Sequence, residues 1–402
     1  MEKGLTNYFE NFLEKESLFT NKKALQSNYL PETLAHRDTQ IQQIAQILAP
    51  VLKQEKPSNL FIYGKTGTGK TVSMKHIIRD LSKISEEKAI PLHMCYVNCK
   101  LKKITDTEYR LLAHLARELG KEIPSTGLPT DEVYKIFFSA LEQKKHMFVL
   151  ILDEIDWLIK KTGDEILYNL TRINAELEHS QITLVGISND LVFTDSLDPR
   201  VKSSLSEEEI LFPPYNALQI QEILNQRAAI AFQKKKLVPG VVEKCAAFAA
   251  RDHGDARRAL ELLRVAGELA ERSDMKKVEI KHLDQAEDKI ERDRMVEAVA
   301  TQPKQVQATL YAILNIPQEK NNLIFTGEVY NIYKGLCLKT GLRPLTQRRV
   351  SDVIGELDML GIINAKVISK GRYGRTREIS IPLSTEITTE LKSLLEDGLA
   401  FV

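Results

Sequence analysis

The spacing of apolar and polar residues changes along the chain. From about 40 to 190, helical patterns alternate with short apolar runs such as NLFIYG, HMCYVNC, MFVLILDEID and ITLVGIS. These runs lack the two-residue alternation of a strand with one exposed face. They therefore predict a parallel sheet with helices on both faces, that is, a layered α/β domain.

Prolines interrupt this pattern at 212–215, where the sequence is FPPY. Consecutive prolines remove backbone donors and force the chain out of helix. From about 216 to 292 the patterns are all helical, which predicts a small helical domain. From about 301 three helical patterns precede two strands around a glycine turn, an order that suits a winged helix. We place the three domains at 1–214, 215–296 and 297–402.

The composition is that of a globular protein, with 43% apolar and 28% charged residues in a chain of 402. The N-terminus lacks the features of a signal peptide, and no apolar run approaches the ~20 residues that span a bilayer. Four cysteines lack the spacing of a zinc site, so we expect buried structural thiols. We expect a cytoplasmic protein with no membrane partner.

The net charge of +1 hides an asymmetry. Residues 301–380 contain twelve Lys or Arg and six Asp or Glu, whereas residues 381–402 contain one Lys and four acids. A basic region of this kind is suited to a nucleic-acid partner, whose phosphates attract Lys and Arg.

A glycine-rich segment carries the most specific chemical signal. It follows NLFIY, precedes TVSMKHIIRDL and matches the phosphate-binding pattern G-x-x-x-x-G-K-[ST]. Its glycines let backbone N–H groups surround phosphates. Lys70 is predicted to contact the β- and γ-phosphates, and Thr71 to hold Mg2+. The segment consists of Gly64, Lys65, Thr66, Gly67, Thr68, Gly69, Lys70 and Thr71.

Acidic residues follow about eighty residues later, at the end of FVLILDEID. Asp153 is predicted to orient Mg2+, and Glu154 to polarise the attacking water. Asn189 follows the next strand and either positions that water or serves as an ordinary turn residue. Arg200 and Arg257 are either surface charges or guanidinium groups that stabilise charge on the transferred phosphoryl group.

An insertion between 98 and 130 reads as an amphipathic helix. Thr105 and Glu108 are spaced as a capping box at its start. The apolar residues behind the predicted cap are Leu111, Leu112, Leu115 and Leu119.

In the last domain, Thr346 to Leu360 reads as a helix whose apolar face is Val350, Ile354 and Leu357. Arg and Gln near the start of such a helix suit the major groove, where they pair with guanine and adenine. The candidate DNA contacts of this helix are Gln347, Arg348, Arg349 and Ser351.

The strands that follow, KVISK and TREISI, flank GRYGR. Basic residues are predicted to cluster at this hairpin tip, either as a wing that reaches a minor groove or phosphates, or as a solvated hairpin. The candidates are Lys370, Arg372, Tyr373, Arg375 and Arg377.

Taken together, these segments resemble the archaeal initiator family related to the largest subunit of the eukaryotic origin recognition complex and to the cell-division-control helicase-loading factor. The matching segments are YLPETLAHRD, the glycine-rich loop, LILDEID, GISND, DPRVKSSL, FPPYNALQIQEILNQR, GDARRALELLRVAGELAE and RRVSDVIGELDMLGII. The resemblance implies an AAA+ P-loop ATPase, a parallel αβα sandwich with a helical lid, followed by a winged-helix domain. The insertion between 98 and 130 would be the element that touches DNA in this family, although packing explains it equally well.

The resemblance also assigns roles within the nucleotide site. Asn189 would be the first sensor, Arg200 the arginine finger and Arg257 the second sensor. The implied cofactors are ATP or ADP with Mg2+. The remaining implied nucleotide contacts are Tyr215, Arg227, Leu30, Pro31 and Arg37.

The function implied by the resemblance is an ATP-regulated replication initiator, with ATP acting as a slow switch. Its partners would be double-stranded origin DNA, the replicative minichromosome maintenance helicase and other copies or paralogues of the chain, at the nucleoid. Two alternatives stay open on the residues alone. One is an ATP-dependent signalling switch or transcription regulator. The other is a clamp-loader subunit, for which a DNA-binding winged helix would be unnecessary.

Overall fold

A five-stranded parallel sheet organises the first part of the chain in the computed structural model. The strand order is β2-β3-β4-β1-β5, and β1 and β3 are buried along their whole length. The predicted parallel sheet is therefore confirmed. Its strands are β1 (Asn59–Tyr63), β2 (Leu92–Asn98), β3 (Met147–Asp153), β4 (Gln181–Ser188) and β5 (Glu207–Leu211).

The structure describes residue 10 and residues 15–100, 105–124, 127–193, 197–205, 207–317, 324–369 and 375–399. The chain divides into two compact units, Met1–Leu283 and Asp284–Val402.

Helices cover both faces of the sheet. On one face, Leu60 and Ile62 of β1 pack with Ile44 and Met74 of helices α1 and α2. On the other face, Phe61 packs in a cluster that includes residues of the remaining sheet-covering helices. Adjacent residues of β1 thus enter opposite cores, which is why its sequence is apolar at each position from Leu60 to Ile62. The helices are α1 (Asp38–Leu48), α2 (Lys70–Glu87), α3 (Glu108–Glu118), α4 (Thr130–Glu142), α5 (Ile155–Thr162), α6 (Glu165–Arg172) and α7 (Pro199–Leu205).

The start of α3 differs from the prediction. Thr107, rather than Thr105, is its N-cap, and its side chain accepts a hydrogen bond from the Arg110 N–H. Thr105 is buried instead, and its hydroxyl donates to the Cys99 carbonyl at 2.6 Å. The predicted capping box is wrong because this tertiary contact takes Thr105 out of the cap.

A group of helices follows β5 within the first unit. Asn216 and Gln219 form a capping box that begins α8, and Asp255 caps α10. The capping box at Asn216 explains why α8 begins directly after the prolines of 212–215. The helices are α8 (Ala217–Ala231), α9 (Val241–Arg251), α10 (Ala256–Arg272) and α11 (Ile280–Ala300), the last of which contains the division between the units.

The second unit combines helices with a three-stranded antiparallel sheet of order β6-β8-β7. The predicted apolar face of α14 is confirmed, since Val350, Ile354 and Leu357 are all fully buried in its core. The elements are α12 (Lys304–Leu314), β6 (Ile324–Phe325), α13 (Thr326–Thr340), α14 (Gln347–Met359), β7 (Asn364–Ser369), β8 (Arg375–Ser380) and α15 (Thr385–Leu399).

The four cysteines, Cys95, Cys99, Cys245 and Cys337, are buried and free, as predicted. Burial raises the pKa of Cys95 and of Cys245 to about 12, which keeps both thiols protonated. Among the described residues, none of the helices has the length and apolar character needed to cross a membrane.

Candidate nucleotide site and nucleic-acid interface

The glycine-rich loop joins β1 to α2 at the carboxyl edge of the sheet. Gly67 and Gly69 have φ of 75° and 93°, in the left-handed region that favours glycine. A Cβ on Gly67 would lie 1.8 Å from Asp255 Oδ1, and one on Gly69 would lie 2.7 Å from the Tyr215 hydroxyl. Glycine is required here because these neighbours approach the loop backbone directly.

Lys70 is buried at the first turn of α2. Its ammonium donates to the Gly64 carbonyl at 2.6 Å, to the Lys65 carbonyl at 2.9 Å and to Asn189 Oδ1 at 2.9 Å. Burial, followed by the positive charge of Arg257, lowers the pKa of Lys70 to about 8. The predicted phosphate-binding lysine and the predicted first sensor are therefore in direct contact.

Thr71 and Asp153 also meet, although they are 82 positions apart. The Thr71 hydroxyl donates to Asp153 Oδ2 at 2.9 Å, and Asp153 is only 3% exposed. A hydroxyl beside a carboxylate is an oxygen donor set that suits Mg2+, so these two residues fit the predicted metal ligands. Mg2+ held there would neutralise charge on the phosphate oxygens.

Tyr96 is a member of this site that the sequence analysis missed. Its hydroxyl donates to Asp153 Oδ2 at 2.5 Å. Burial, and then the charge of Asp153, raises the pKa of Tyr96 far above its usual range, so the phenol stays protonated and remains a donor. In the sequence, Tyr96 is marked only by its position in the apolar run that forms β2. That position indicates a site residue only when β2 is known to pair with β3.

Glu154 turns the chain sharply between β3 and α5. Its φ is 57°, an unusual value for a residue other than glycine, and its N–H donates to Asp153 Oδ1 at 3.0 Å. Burial raises the pKa of Glu154, while Lys100, whose ammonium lies 3.9 Å from Oε2, opposes that shift. A carboxylate held on a strained turn beside Asp153, the predicted metal ligand, has the placement expected of a general base.

One cavity gathers most of the remaining predicted nucleotide contacts. It is bordered by the glycine-rich loop through Gly67, Gly69 and Thr71. Asp255 brings Arg257 to this place by accepting hydrogen bonds from the first N–H groups of α10, and the Ala256 N–H donates to the Gly67 carbonyl at 3.3 Å. The predicted contacts that line the cavity are Leu30, Pro31, Tyr215, Arg227 and Arg257.

Arg37 is placed differently from these residues. It is 2% exposed, and its guanidinium donates to the Thr68 carbonyl at 2.8 Å and to the Pro213 carbonyl at 2.6 Å. It also lies 3.8 Å from the centre of the Tyr215 ring. Through these contacts Arg37 stabilises the glycine-rich loop, and its side chain does not line the cavity.

Arg200 points into solvent. Its side chain is 83% exposed, and its guanidinium pairs with Asp198 at 3.1 Å near the start of α7. The structure does not bring Arg200 into its own cavity, whose lining among the described residues contains Arg227 and Arg257 as its arginines.

In the second unit, Thr346 caps α14 and the first side chains of this helix are exposed. Arg349 pairs with Glu356 at 3.2 Å, whereas Arg348 forms no ion pair with any described residue. The Leu345 N–H donates to the Tyr333 hydroxyl at 3.0 Å, which fixes the entry to the helix. The side chains of Gln347 and Arg348 are thus available to contact a ligand, and the helix that carries them is held firmly at its start.

The predicted wing is only partly described. Lys370, Arg372 and Tyr373 lie outside the described residues, and Arg375 begins β8 with a side chain that is not described.

Arg377 lies inside β8 rather than at the hairpin tip where it was expected, and its predicted clustering with Lys370, Arg372 and Tyr373 falls outside the described residues. Arg377 pairs with Val367 inside the sheet, and its guanidinium donates to Ser351 Oγ at 3.4 Å. A Cβ on Gly355 would lie 2.9 Å from Arg377 Nη2. The cause is that Arg377 lies within the paired strand, where its side chain packs on α14. Ser351, also a candidate DNA contact, is consequently half-buried against Arg377.

Three stretches of the chain match described families. Residues 33–185 match the AAA ATPase domain, residues 221–288 the Cdc6 AAA+ ATPase-type lid domain, and residues 297–390 the CDC6 C terminal winged helix domain. These matches confirm the predicted fold class, a P-loop AAA+ ATPase with a helical lid and a winged helix.

Whole-chain relatives agree with these matches. An ORC1-type DNA replication protein of Thermococcus onnurineus is 54% identical over 381 residues, which cover 94% of this chain and 91% of that protein. ORC1-type DNA replication protein 1 of Methanosarcina mazei is 51% identical over 397 residues, or 98% and 94% of the two chains. The solved structure of the Aeropyrum pernix ORC1 protein in complex with DNA has a TM-score of 0.83 at 43% identity and covers 96% of this chain and 99% of that chain.

Two substitutions test the roles of Lys70 and Glu154. Lys70→Ala removes the ammonium from the phosphate loop, so we expect it to abolish tight nucleotide binding. Glu154→Gln keeps the loop and the Thr71–Asp153 pair, so we expect ATP affinity within about threefold of wild type and hydrolysis reduced by about 100-fold or more. Equilibrium binding of a fluorescent ATP analogue and phosphate release measure the two properties. Wild-type hydrolysis rates in both variants would contradict the assignment.

Proposed function

The chain belongs to the family of ORC1-type DNA replication proteins, and from this premise we propose that it is an ATP-regulated initiator that binds origin duplex DNA and recruits or loads the replicative minichromosome maintenance helicase. The proposal is supported by one observation: the same chain holds a candidate nucleotide site, in which Lys70 contacts Asn189 and Thr71 contacts Asp153, and a winged helix with exposed Arg348. The proposed cofactors are ATP or ADP with Mg2+, and the proposed location is the cytoplasm, at the nucleoid.

In the proposed reaction, the charges of Lys70 and Arg257 stabilise the phosphates. Glu154 accepts a proton from a water molecule whose oxygen attacks the γ-phosphorus. The bond between that phosphorus and the β,γ-bridging oxygen breaks, and ADP and phosphate are the products. Asn189, whose Oδ1 accepts a hydrogen bond from the Lys70 ammonium at 2.9 Å, would orient the attacking water.

The exposure of Arg200 supports a slow switch rather than a continuous motor. The Arg200 guanidinium lies outside the nucleotide cavity of its own chain. A second copy or paralogue would therefore have to supply Arg200 to complete the positive charges around the phosphates. An isolated chain would then retain ATP until it assembles. The nucleotide state would report assembly, which is what a regulated initiator needs.

The DNA part of the proposal rests on α14. A capped helix with exposed Gln347 and Arg348 at its start is suited to reading base edges in the major groove. The DNA complex of the Aeropyrum pernix relative supports a DNA partner for this chain. Recruitment of the helicase is proposed on family membership.

A complementation assay tests whether Arg200 acts between copies. Arg200→Ala should keep ATP affinity, because the side chain lies outside the cavity, and should lower hydrolysis in the assembled state by at least about tenfold. Glu154→Gln should be inactive but still able to offer Arg200. Mixing the two inactive variants on DNA should therefore restore phosphate release.

Lys202→Ala is the matched control, since it removes a charge from the same helix and should not need complementation. If the mixture stays inactive at every concentration while wild type is active, Arg200 does not act in trans.

A second experiment tests base reading by α14. Arg348→Ala should lose about 1–3 kcal/mol of binding free energy on an origin-derived duplex and little on a scrambled one. Lys339→Ala removes the same charge from the last turn of α13, so it should leave the ratio of the two affinities unchanged. Fluorescence anisotropy at several salt concentrations measures both ratios. An equal loss for Arg348→Ala on both duplexes would mean that this residue contacts only phosphates.

A further inference from the structure

The segment 17–37 runs without a break from the lid helices to the nucleotide cavity and on to the glycine-rich loop. Its first part, residues 17–25, which we call the lid strap, lies on α8 and α10. Phe19 forms an antiparallel bridge with Phe232, and the Thr20 N–H donates to the Ala231 carbonyl at 2.8 Å. In the opposite direction, the Gln233 N–H donates a hydrogen bond to the Leu18 carbonyl at 3.0 Å. The strap is thus joined to the end of α8 through its backbone.

Gly267 provides the place where the strap docks. It lies inside α10, and a Cβ at this position would be 2.4 Å from Phe19 Cζ and 3.0 Å from Phe232 Cε1. The centres of the two rings lie 4.6 Å apart, and the ring planes are tilted by 30° to each other. Glycine weakens a helix interior, so its presence here is explained by the space that Phe19 occupies.

Acidic residues of α10 fasten the strap beside this notch. The Glu271 carboxylate accepts from the Ser17 hydroxyl at 2.6 Å and from the Leu18 N–H at 2.7 Å. One turn earlier, Glu268 pairs with Lys22 at 2.7 Å. Charge-assisted bonds of this kind are stronger than neutral ones, so the strap has both an apolar and a polar attachment.

The second part of the segment enters the nucleotide cavity. Residues 26–31 line it, and Arg227 connects the two parts. The Arg227 guanidinium donates to the Ala24 carbonyl of the strap at 3.4 Å and lies 4.6 Å from the centre of the Tyr29 ring. Arg37 then ends the segment at the Thr68 carbonyl of the glycine-rich loop. The strap is therefore connected through Arg227 to residues that line the cavity.

We propose that Phe19, docked in the Gly267 notch, is a positioning residue that sets how tightly the cavity holds its nucleotide and how fast the nucleotide is exchanged. The inference rests on the proposed ATP-binding function. The strap touches no reacting group, so it acts through residues 26–31. Whether the strap is docked or displaced changes the rate of nucleotide release and leaves the hydrolysis step at Glu154 unaltered.

Gly267→Ala tests this arrangement. Alanine favours helix, so α10 itself should not be weakened, but its methyl group occupies the space of the Phe19 ring. We expect release of an ADP analogue with a ribose-linked fluorophore to accelerate by about tenfold, the size of effect that overpacking of one contact can produce. KM for ATP should rise while kcat stays within about twofold, because the strap affects binding rather than the chemical step.

Gly335→Ala is the control, since it makes the same change inside α13, where a Cβ meets no atom within 4 Å. The double variant Gly267→Ala with Phe19→Leu removes the ring atom that clashes and should restore slow release. Unchanged release in Gly267→Ala, equal acceleration in Gly335→Ala, or failure of Phe19→Leu to restore slow release would each overturn the proposal. If wild-type protein binds no ADP analogue at all, the proposed ATP-binding function fails instead.

Discussion

The buried ammonium of Lys70 is the interaction on which the nucleotide site depends. A buried charge is costly unless polar groups surround it, and three oxygens do so here, at 2.6–2.9 Å. Two of them belong to the glycine-rich loop, and the third belongs to Asn189 beyond β4. The ammonium therefore fixes the loop conformation and joins it to the neighbouring strand.

Around this centre, separate parts of the first unit converge on the same loop. The start of α10 reaches it through the Ala256 N–H, and the segment 17–37 reaches it through Arg37. The start of α10 belongs to the lid, and the segment 17–37 contacts the lid. The lid strap is fastened to α10 at Gly267 and Glu271, and in our proposal this attachment links lid position to the nucleotide contacts. The exposed Arg200 adds a dependence on a neighbouring copy under the proposed function.

Local sequence patterns were sufficient to predict the parallel sheet and the buried face of α14. The glycine-rich loop and the acidic pair after β3 were also recognisable, since their chemistry depends on residues adjacent in sequence. Features that depend on pairing register were not: Tyr96 reaches Asp153 only because β2 lies beside β3. Arg377 was misplaced for the same reason, since a basic residue near a turn gives no sign that it packs on a helix. Thr105 was misread because a tertiary hydrogen bond competes with the helix cap.

Under the proposed function, the candidate ATP site and the winged helix serve replication origins rather than signalling or transcription. Mapping the binding sites of the protein across its own genome, in growing cells and in cells held before replication, tests that claim most directly. We expect strong enrichment at a few replication start regions, lost when Arg348 is replaced by Ala and changed in extent when Glu154 is replaced by Gln. Enrichment spread over many promoters, with none at replication start regions, would contradict an origin-binding function for this protein.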